Sequence, residues 1–511
     1  MHKSTTHRVK NSMISMLIMR PISAIAGLLI LILLSRFLTP SDYGNFFAIW
    51  AIVEILILAS NLGLIHAVYR YVSAAEYSTG VISTNGPVWK FIWWRFCTLA
   101  LAGYILSFFP ESLANLTNQP LFTKQILSCI VLIIFFEGLA RFFETIFDTM
   151  LCQGRSQISL VSRTVFRLAG YLIVLSQDSL DLQHVLFVDV ISTCLGAIIA
   201  AAMLFMLSRK AKLSGQNEQK ENIGFGRMTR YALPAFLAQV LTLVYGPDAL
   251  KIVLSSTSGT TALASFGFAY SLAAVVQRYI PANLLGGIFR PIFVLGANKP
   301  NADQVLSQLL SISIKINWLV ILPIFCFLYF AGSPLLANLS GGNYLDAGIT
   351  ISIIMLGLLA ISMHLTFSMY CLARELSWPL LYATLFSTVG LPLGIIMAEH
   401  YGAVGIAITF GVSELIWSII CFAILKHRSH GELTLDWFGF IKLLVITMAA
   451  IIICSLLEPL WGRGWVAPAI LAPFLFVVGI YVSRLFSIQE QTWLISVLPS
   501  HKGMRIGEEK C

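Results

Sequence analysis

Charged side chains inside long apolar runs are the residues of this chain that could do chemistry. One run holds Glu137, Arg141, Glu144 and Asp148, spaced four, three and four apart. On a helix that spacing places all of them on one face. The next run carries Arg163 and Arg167, again one turn apart. If the two runs cross the same layer in opposite directions, Arg163 reaches the depth of Glu144 and Asp148. The set reads as an intramembrane charge ladder, either ion pairs tying two helices together or a polar face on a cavity. Glu54 stands near the centre of another run, with no basic residue one turn away. Arg20 precedes Pro21, and Arg278 precedes Pro281. Both arginines could reach up to the headgroups or turn into a cavity. Gly246-Pro247-Asp248 interrupts a further run, with Lys251 three residues on. Proline removes a backbone donor, and such breaks can bind ions; a local Asp248–Lys251 pair is the plainer reading. Glu414 lies at mid-run beside Ser413, and His364 reads as a hydrogen-bonded core histidine. An ionised group in hydrocarbon costs at least ~2.5–3.5 kcal/mol on insertion scales, so each of these needs a partner or a wet cavity. Arg20, Glu54 and Arg278 are the candidates for substrate binding, and Asp248 and Glu414 for ion coupling.

The elements that hold these residues are helices across a bilayer. Of 511 residues, 58% are hydrophobic and 11% charged, and the mean hydropathy is +0.84. A spanning helix needs ~20 apolar residues, because the hydrocarbon layer is ~30 Å thick. The chain reads as an all-α polytopic membrane protein with about fourteen transmembrane helices. They are expected near 13–38, 43–67, 87–110, 121–150, 157–177, 183–208, 229–254, 260–286, 308–331, 347–372, 376–398, 402–425, 437–457 and 465–486. The polar stretch Ser208 to Arg230 separates the first six from the rest. It divides the chain into 1–228, a six-helix lobe with its linker; 229–430, a second six-helix lobe; and 431–511, two additional helices with a tail. Gly44 and Gly63 bracket the second helix as Gly267 and Gly286 bracket the eighth, a weak sign of a repeat. The basic run at the N-terminus has no small-residue cleavage site and reads as an uncleaved first helix.

Lys and Arg crowd one set of loops and tails, among them Lys3, Arg8, Lys10, Arg155, Lys210 and Arg428. The alternate set holds Arg36, Lys124, Lys251 and Arg463. The positive-inside rule therefore puts both termini in the cytoplasm. The net charge of +9 is spread over many loops, so no nucleic-acid partner is expected. Trp89, Trp93 and Trp94 fit an interfacial belt. The nine cysteines form no CxxC or Cys/His cluster, and neither disulfide, metal nor cofactor is expected. No GxxxxGK[ST] loop is present, which argues against an ATP-driven pump.

Short motifs suggest a family. Leu38-Thr39-Pro40-Ser41-Asp42-Tyr43-Gly44 resembles the "LGPEEYG" turn of bacterial polysaccharide and O-antigen flippases. These form the polysaccharide branch of the multidrug/oligosaccharidyl-lipid/polysaccharide exporters. Asn61-Leu62-Gly63-Leu64 with Arg70-Tyr71 is similar to "DLGL…ALVRY", with Asn61 in place of the aspartate. Asp248 through Tyr270 resembles "DRLLLG…GLYSLA", with Asp248 and Gly267 at matching places and the tyrosine displaced. Gly342-Asn343-Tyr344 matches "FGPEY" loosely, and Tyr401 to Ala407 matches "YGxxGAA" except at Ile406. No single motif is specific; five in order are persuasive together.

The resemblance implies two lobes around a central cavity and alternating access. The implied cargo is an undecaprenyl-diphosphate-linked oligosaccharide, moved from the inner to the outer leaflet of the cytoplasmic membrane for lipopolysaccharide or exopolysaccharide synthesis. It also implies a polysaccharide polymerase and chain-length proteins as partners, and a role for the last two helices in holding the lipid tail. A drug or metabolite antiporter of the same fold is the nearest rival. A membrane enzyme or an assembly scaffold belongs to a different class. The short outer loops, poor in Asp, Glu, His and Arg, argue against catalysis, and no catalytic residue is assigned.

Overall fold

Apolar runs this long have one way to satisfy their backbone in hydrocarbon, which is to become helices. The computed structural model describes residues 2–65, 67–68, 87–110, 124–150, 152–177, 180–213, 236–284, 293, 302–374, 376, 378–429, 431–457, 464–483, 485 and 490. The linker from 214 onward to 235, the Arg70-Tyr71 pair and Gly286 lie outside the described residues. The first half contains α1 (His2–Phe37), α2 (Pro40–Ala59), α3 (Pro87–Ser107), α4 (Lys124–Thr149), α5 (Gln153–Gln177) and α6 (Leu182–Leu213). The helical segment Phe236–Tyr279 then turns back at Gly259 (φ 85°), which separates α7 (236–258) from α8 (260–279). The fold-back brings the Lys251 ammonium over the Tyr270 ring at 5.0 Å. Next come α9 (Ala302–Ser340) and α10 (Ala347–Ala373). Trp378–Arg428 turns back at Gly402, making α11 (378–401) and α12 (403–428). The pair α13 (Trp437–Leu456) and α14 (Val466–Ser483) closes the series. Among the described residues, eleven helical segments are long and apolar enough to cross a membrane; with two of them folded back on themselves and α3 added, fourteen helices result.

Consecutive helices alternate in direction, so the bundle has two faces. The face where α1 begins is called proximal here, and the face where α1 ends is distal. At the distal end of α2, Thr39 caps the helix by accepting the Asp42 amide, Pro40 fills the first turn, and Asp42 complements the helix dipole. The "TPSD" turn is therefore a helix start that keeps α1 and α2 adjacent.

Hydrophobic packing forms two clusters. One joins α2, α3, α4 and α6 through residues such as Ile49, Ile52, Val53, Leu99, Ile133 and Leu186. The other joins the distal end of α1 and much of α7 to α14. Between the halves, α2 lies directly on the α7–α8 hairpin. The close approach depends on missing side chains. A Cβ on Gly44 would stand 2.0 Å from the Thr260 carbonyl oxygen, and one on Gly267 would stand 2.2 Å from the Phe47 ring.

The extra pair docks on α9. Its approach segment is stitched down by Thr434 N–H to Ser307 Oγ (3.2 Å) and Asp436 N–H to Ser311 Oγ (3.1 Å). Asp436 also caps α13 by accepting the Gly439 amide at 2.9 Å. Its carboxylate meets the fully buried Lys315 ammonium at 2.5 Å, and Glu490 meets the same ammonium at 2.7 Å. Burial works against the Asp436 charge, but Lys315 and the Gly439 amide outweigh it and hold the carboxyl below its ordinary range.

A candidate functional site in the charged interior

The acidic and basic residues of α4 and α5 do meet, and they recruit α2. Arg141 reaches across to Glu54 in a bidentate pair, 2.6 Å at both oxygens. Its Nε donates to Glu137 at 2.8 Å. Arg163 bridges Glu137 and Glu144, 2.5 Å from each. The guanidinium fork suits such paired recognition. Arg163, Glu137 and Glu144 are almost wholly buried, whereas the side chains of Arg141 and Glu54 keep 38% and 31% of their surface. Glu54 is fourteen residues into α2, about 21 Å along the axis at ~1.5 Å per residue. That leaves it five residues from the end of α2 at Ala59, so this accessible polar surface lies toward the proximal side of the bundle.

Arg167 takes a different partner. It pairs with Asp189 of α6 at 2.8 Å and lies 4.9 Å from the Trp50 ring. Asp189 is fully buried and also accepts from Tyr171 Oη (2.5 Å) and Trp50 Nε1 (3.0 Å). One aspartate thus ties α2, α5 and α6. Asp148 stands apart from Arg163. It lies beside Ser156 and within electrostatic reach of Glu144 and of Arg20 on α1. The ladder therefore runs Glu54–Arg141–Glu137–Arg163–Glu144, with Arg167 turned to Asp189 and Asp148 bonded to Ser156.

Arg20 is half-buried, and Tyr279 of α8 is its other electrostatic neighbour. Arg278 is exposed near the proximal end of α8. Arg20 sits where the halves face each other on the proximal side, and Arg278 lies at the same end of the bundle.

In the second half, the helix breaks at Gly246 and restarts at Pro247. Asp248 makes the local pair with Lys251 at 2.8 Å. Glu414 of α12 stands 2.7 Å from His364 Nδ1 of α10. The imidazole stacks on Trp417 with centroids 3.5 Å apart. Trp417 in turn donates to Thr384 of α11 at 3.1 Å. The core histidine expected from the sequence has this glutamate as its partner. Tyr270 of α8 lies within electrostatic reach of Asp248, Glu414, Glu54 and Arg278, so it marks the middle of the charged interior.

Three buried ionic residues escape a reading by spacing. Asp189 is a lone acid in its run, and its partner is on another helix. Lys315 is likewise isolated in α9. Arg95 has no carboxylate partner among the described residues. It donates to Ser60 Oγ (3.2 Å) and the Ile57 carbonyl (2.8 Å), capping the proximal end of α2. The usable signal for all three was the residue type itself inside an apolar run. Among the described residues, no group of three or more His, Cys, Asp or Glu could hold a metal ion.

Comparison with known proteins gives this arrangement a context. The fold resembles a structure of the "Lipid II flippase MurJ, inward closed conformation", with TM-score 0.67 and 16% identity over 92% of this chain and 99% of that one. It also resembles an inward-facing multidrug resistance MATE family transporter of the MOP superfamily, with TM-score 0.59 and 14% identity over 80% and 95% of the two chains. A single-residue mutant of the Vibrio cholerae MATE transporter VcmN gives TM-score 0.57 and 14% identity over 83% and 98%. At these identities the likeness is one of fold, the polytopic helical transporter fold. Among curated proteins none matches. The family described as "Polysaccharide biosynthesis protein" matches residues 9–286, more than half of the sequence. The chain therefore belongs to the polysaccharide biosynthesis protein family.

Proposed function

We propose that this protein is a flippase that moves an undecaprenyl-diphosphate-linked oligosaccharide from the cytoplasmic to the outer leaflet of the bacterial inner membrane. The observation that carries the reading is the accessible Glu54–Arg141 pair inside membrane-length helices. A diphosphate sugar cannot cross hydrocarbon unaided, and it needs a polar path. In this reading 1–228 and 229–430 are two lobes that rock about the cavity, and 431–511 adds the last helix pair. The Lys/Arg bias makes the proximal face cytoplasmic. Arg20 and Arg278 then lie at the loading side, where a guanidinium can meet phosphate oxygens with two parallel bonds. Glu54 orients Arg141 on the cavity wall. Asp248 and Glu414 are the carboxylates that carry the coupling ion, and polymerase and chain-length proteins act on the product.

The test is polymer export in cells lacking the gene. Surface polymer should vanish in the deletion and return with the intact chain. Lost drug resistance with normal polymer would transfer the reading to an antiporter. Topology is checked separately by a single cysteine at position 215 in a cysteine-free background. Labelling there by an impermeant reagent from outside the cell would reverse the assigned orientation.

A further inference from the structure

The distal ends of the two halves are joined by a contact that neither half can make alone. α9 ends with the Gly342 amide donating back to the Ala337 carbonyl at 2.7 Å. The intervening carbonyls of Asn338 and Leu339 are left without helical donors, as at any helix C-terminus. Arg36, at the last turn of α1, supplies the donors. Its Nε donates to Leu339 O and its Nη2 to Asn338 O, each at 2.7 Å. The cation also sits at the negative end of the α9 dipole. Asn343 links the same turn to Ser35 O at 3.5 Å, and Ser41 Oγ lies 3.3 Å from Thr260 Oγ1.

Directly beneath, this seam carries an opposing feature. Tyr43 of α2 and Tyr344 of the α9–α10 turn pack against each other at 5.7 Å, with Phe268 against both. Both phenol oxygens are buried and find no hydrogen-bond partner among the described residues. An unsatisfied buried hydroxyl disfavours the arrangement that buries it. Separation of the halves would hydrate both.

We propose that Arg36 is a positioning residue for transport: a clasp that holds the distal, exit side shut by capping α9 from the opposite half. The two orphan phenols oppose it, which keeps the seal reversible. This rests on the flippase reading for the word exit, but the clasp itself rests on geometry. Arg36 is exposed at the surface, so its removal leaves the packed interior intact.

The experiment uses the full-length, otherwise cysteine-free protein with Ala48→Cys as reporter, buried just below the Gly44 contact. Labelling by an impermeant thiol reagent is followed in intact cells. Arg36→Gln should raise the rate roughly tenfold, the factor set by about 1.4 kcal/mol. Arg36→Lys should fall between. Tyr43→Phe and Tyr344→Phe should change the rate in the opposite direction, slowing it, which a merely structural disturbance would not do. Unchanged labelling in Arg36→Gln, or faster labelling in both phenylalanine variants, overturns the clasp whatever polymer export does. Faster labelling seen only in inverted vesicles overturns its assignment to the exit. Polymer export in the same strains tests the flippase reading independently.

Discussion

Arg163 is the residue at which the charge network can be tested most sharply. Its guanidinium lies 2.5 Å from both Glu137 and Glu144 and keeps only 6% of its side-chain surface. Its stem packs so tightly on α6 that a Cβ on Gly196 would meet Arg163 Cγ at 2.0 Å. Replacing Arg163 with Met retains much of the stem and deletes the charge. Glu137 then still has Arg141, but Glu144 loses its cation while remaining buried. Breaking a buried pair by removing one partner costs about 3–5 kcal/mol, because the remaining charge is uncompensated. Neutralising that charge should recover part of the loss. Arg163→Met with Glu144→Gln is therefore expected to be more stable than the sum of its single changes, by roughly 0.5–3 kcal/mol, the range for groups in contact. Arg163→Met with Asp148→Asn should couple more weakly, since Asp148 bonds Ser156 and feels the loss of Arg163 only through Glu144. The assay is thermal unfolding of purified protein in one detergent, read by the fraction that remains monodisperse after heating. Additivity in the Glu144 pair, or coupling in the Asp148 pair as large as in the Glu144 pair, would refute the described connectivity.

The remaining predictions concern the cavity and the docked helix pair. Arg278→Ala should abolish polymer export at normal protein level while Arg278→Lys keeps part of it, with the same order at Arg20; intact export with alanine at both positions removes them from substrate binding. In vesicles with an imposed gradient, Asp248→Asn or Glu414→Gln should weaken the dependence of transport on that gradient, and an unchanged dependence in both takes these carboxylates out of the coupling step. Asp436 gives a pH test: its folded pKa is depressed, so its stabilisation is present above the ordinary carboxylate value of about 3.9 and is lost as pH falls through the lower folded value. The stability gap between the intact protein and Asp436→Asn should accordingly be flat near neutrality and close in strong acid, and a gap that widens as pH falls would contradict the sign.

Sequence alone determined the fourteen helices, because an apolar run of membrane length has no other stable backbone solution in lipid. It also made Gly246-Pro247 legible as a break and Asp248–Lys251 as a local pair, since both are set by neighbours within one turn. The short motif at Thr39 to Gly44 was readable for the same reason: its cap and its proline act on residues next to them. The membrane-buried acids and bases announced themselves by type, but their partners did not. Spacing along α4 and α5 could align Arg163 with either Glu144 or Asp148, and only the packed rotation of the two helices chose Glu144. Glu54 lacked a cation on its own helix and found Arg141 on another, 87 positions along the chain. Asp189 and Lys315 read as isolated charges until α5 and α6, and α9 with the 432–436 segment, brought their partners in. Arg36 read as one of the few cations among the alternate loops, with nothing to mark it as a cap for a helix 303 positions away. Helix formation depends on the residues within a turn or two and on the solvent, so it is written locally. Charge pairing and the seal between halves depend on helix rotation and register, which arise only when the bundle is packed.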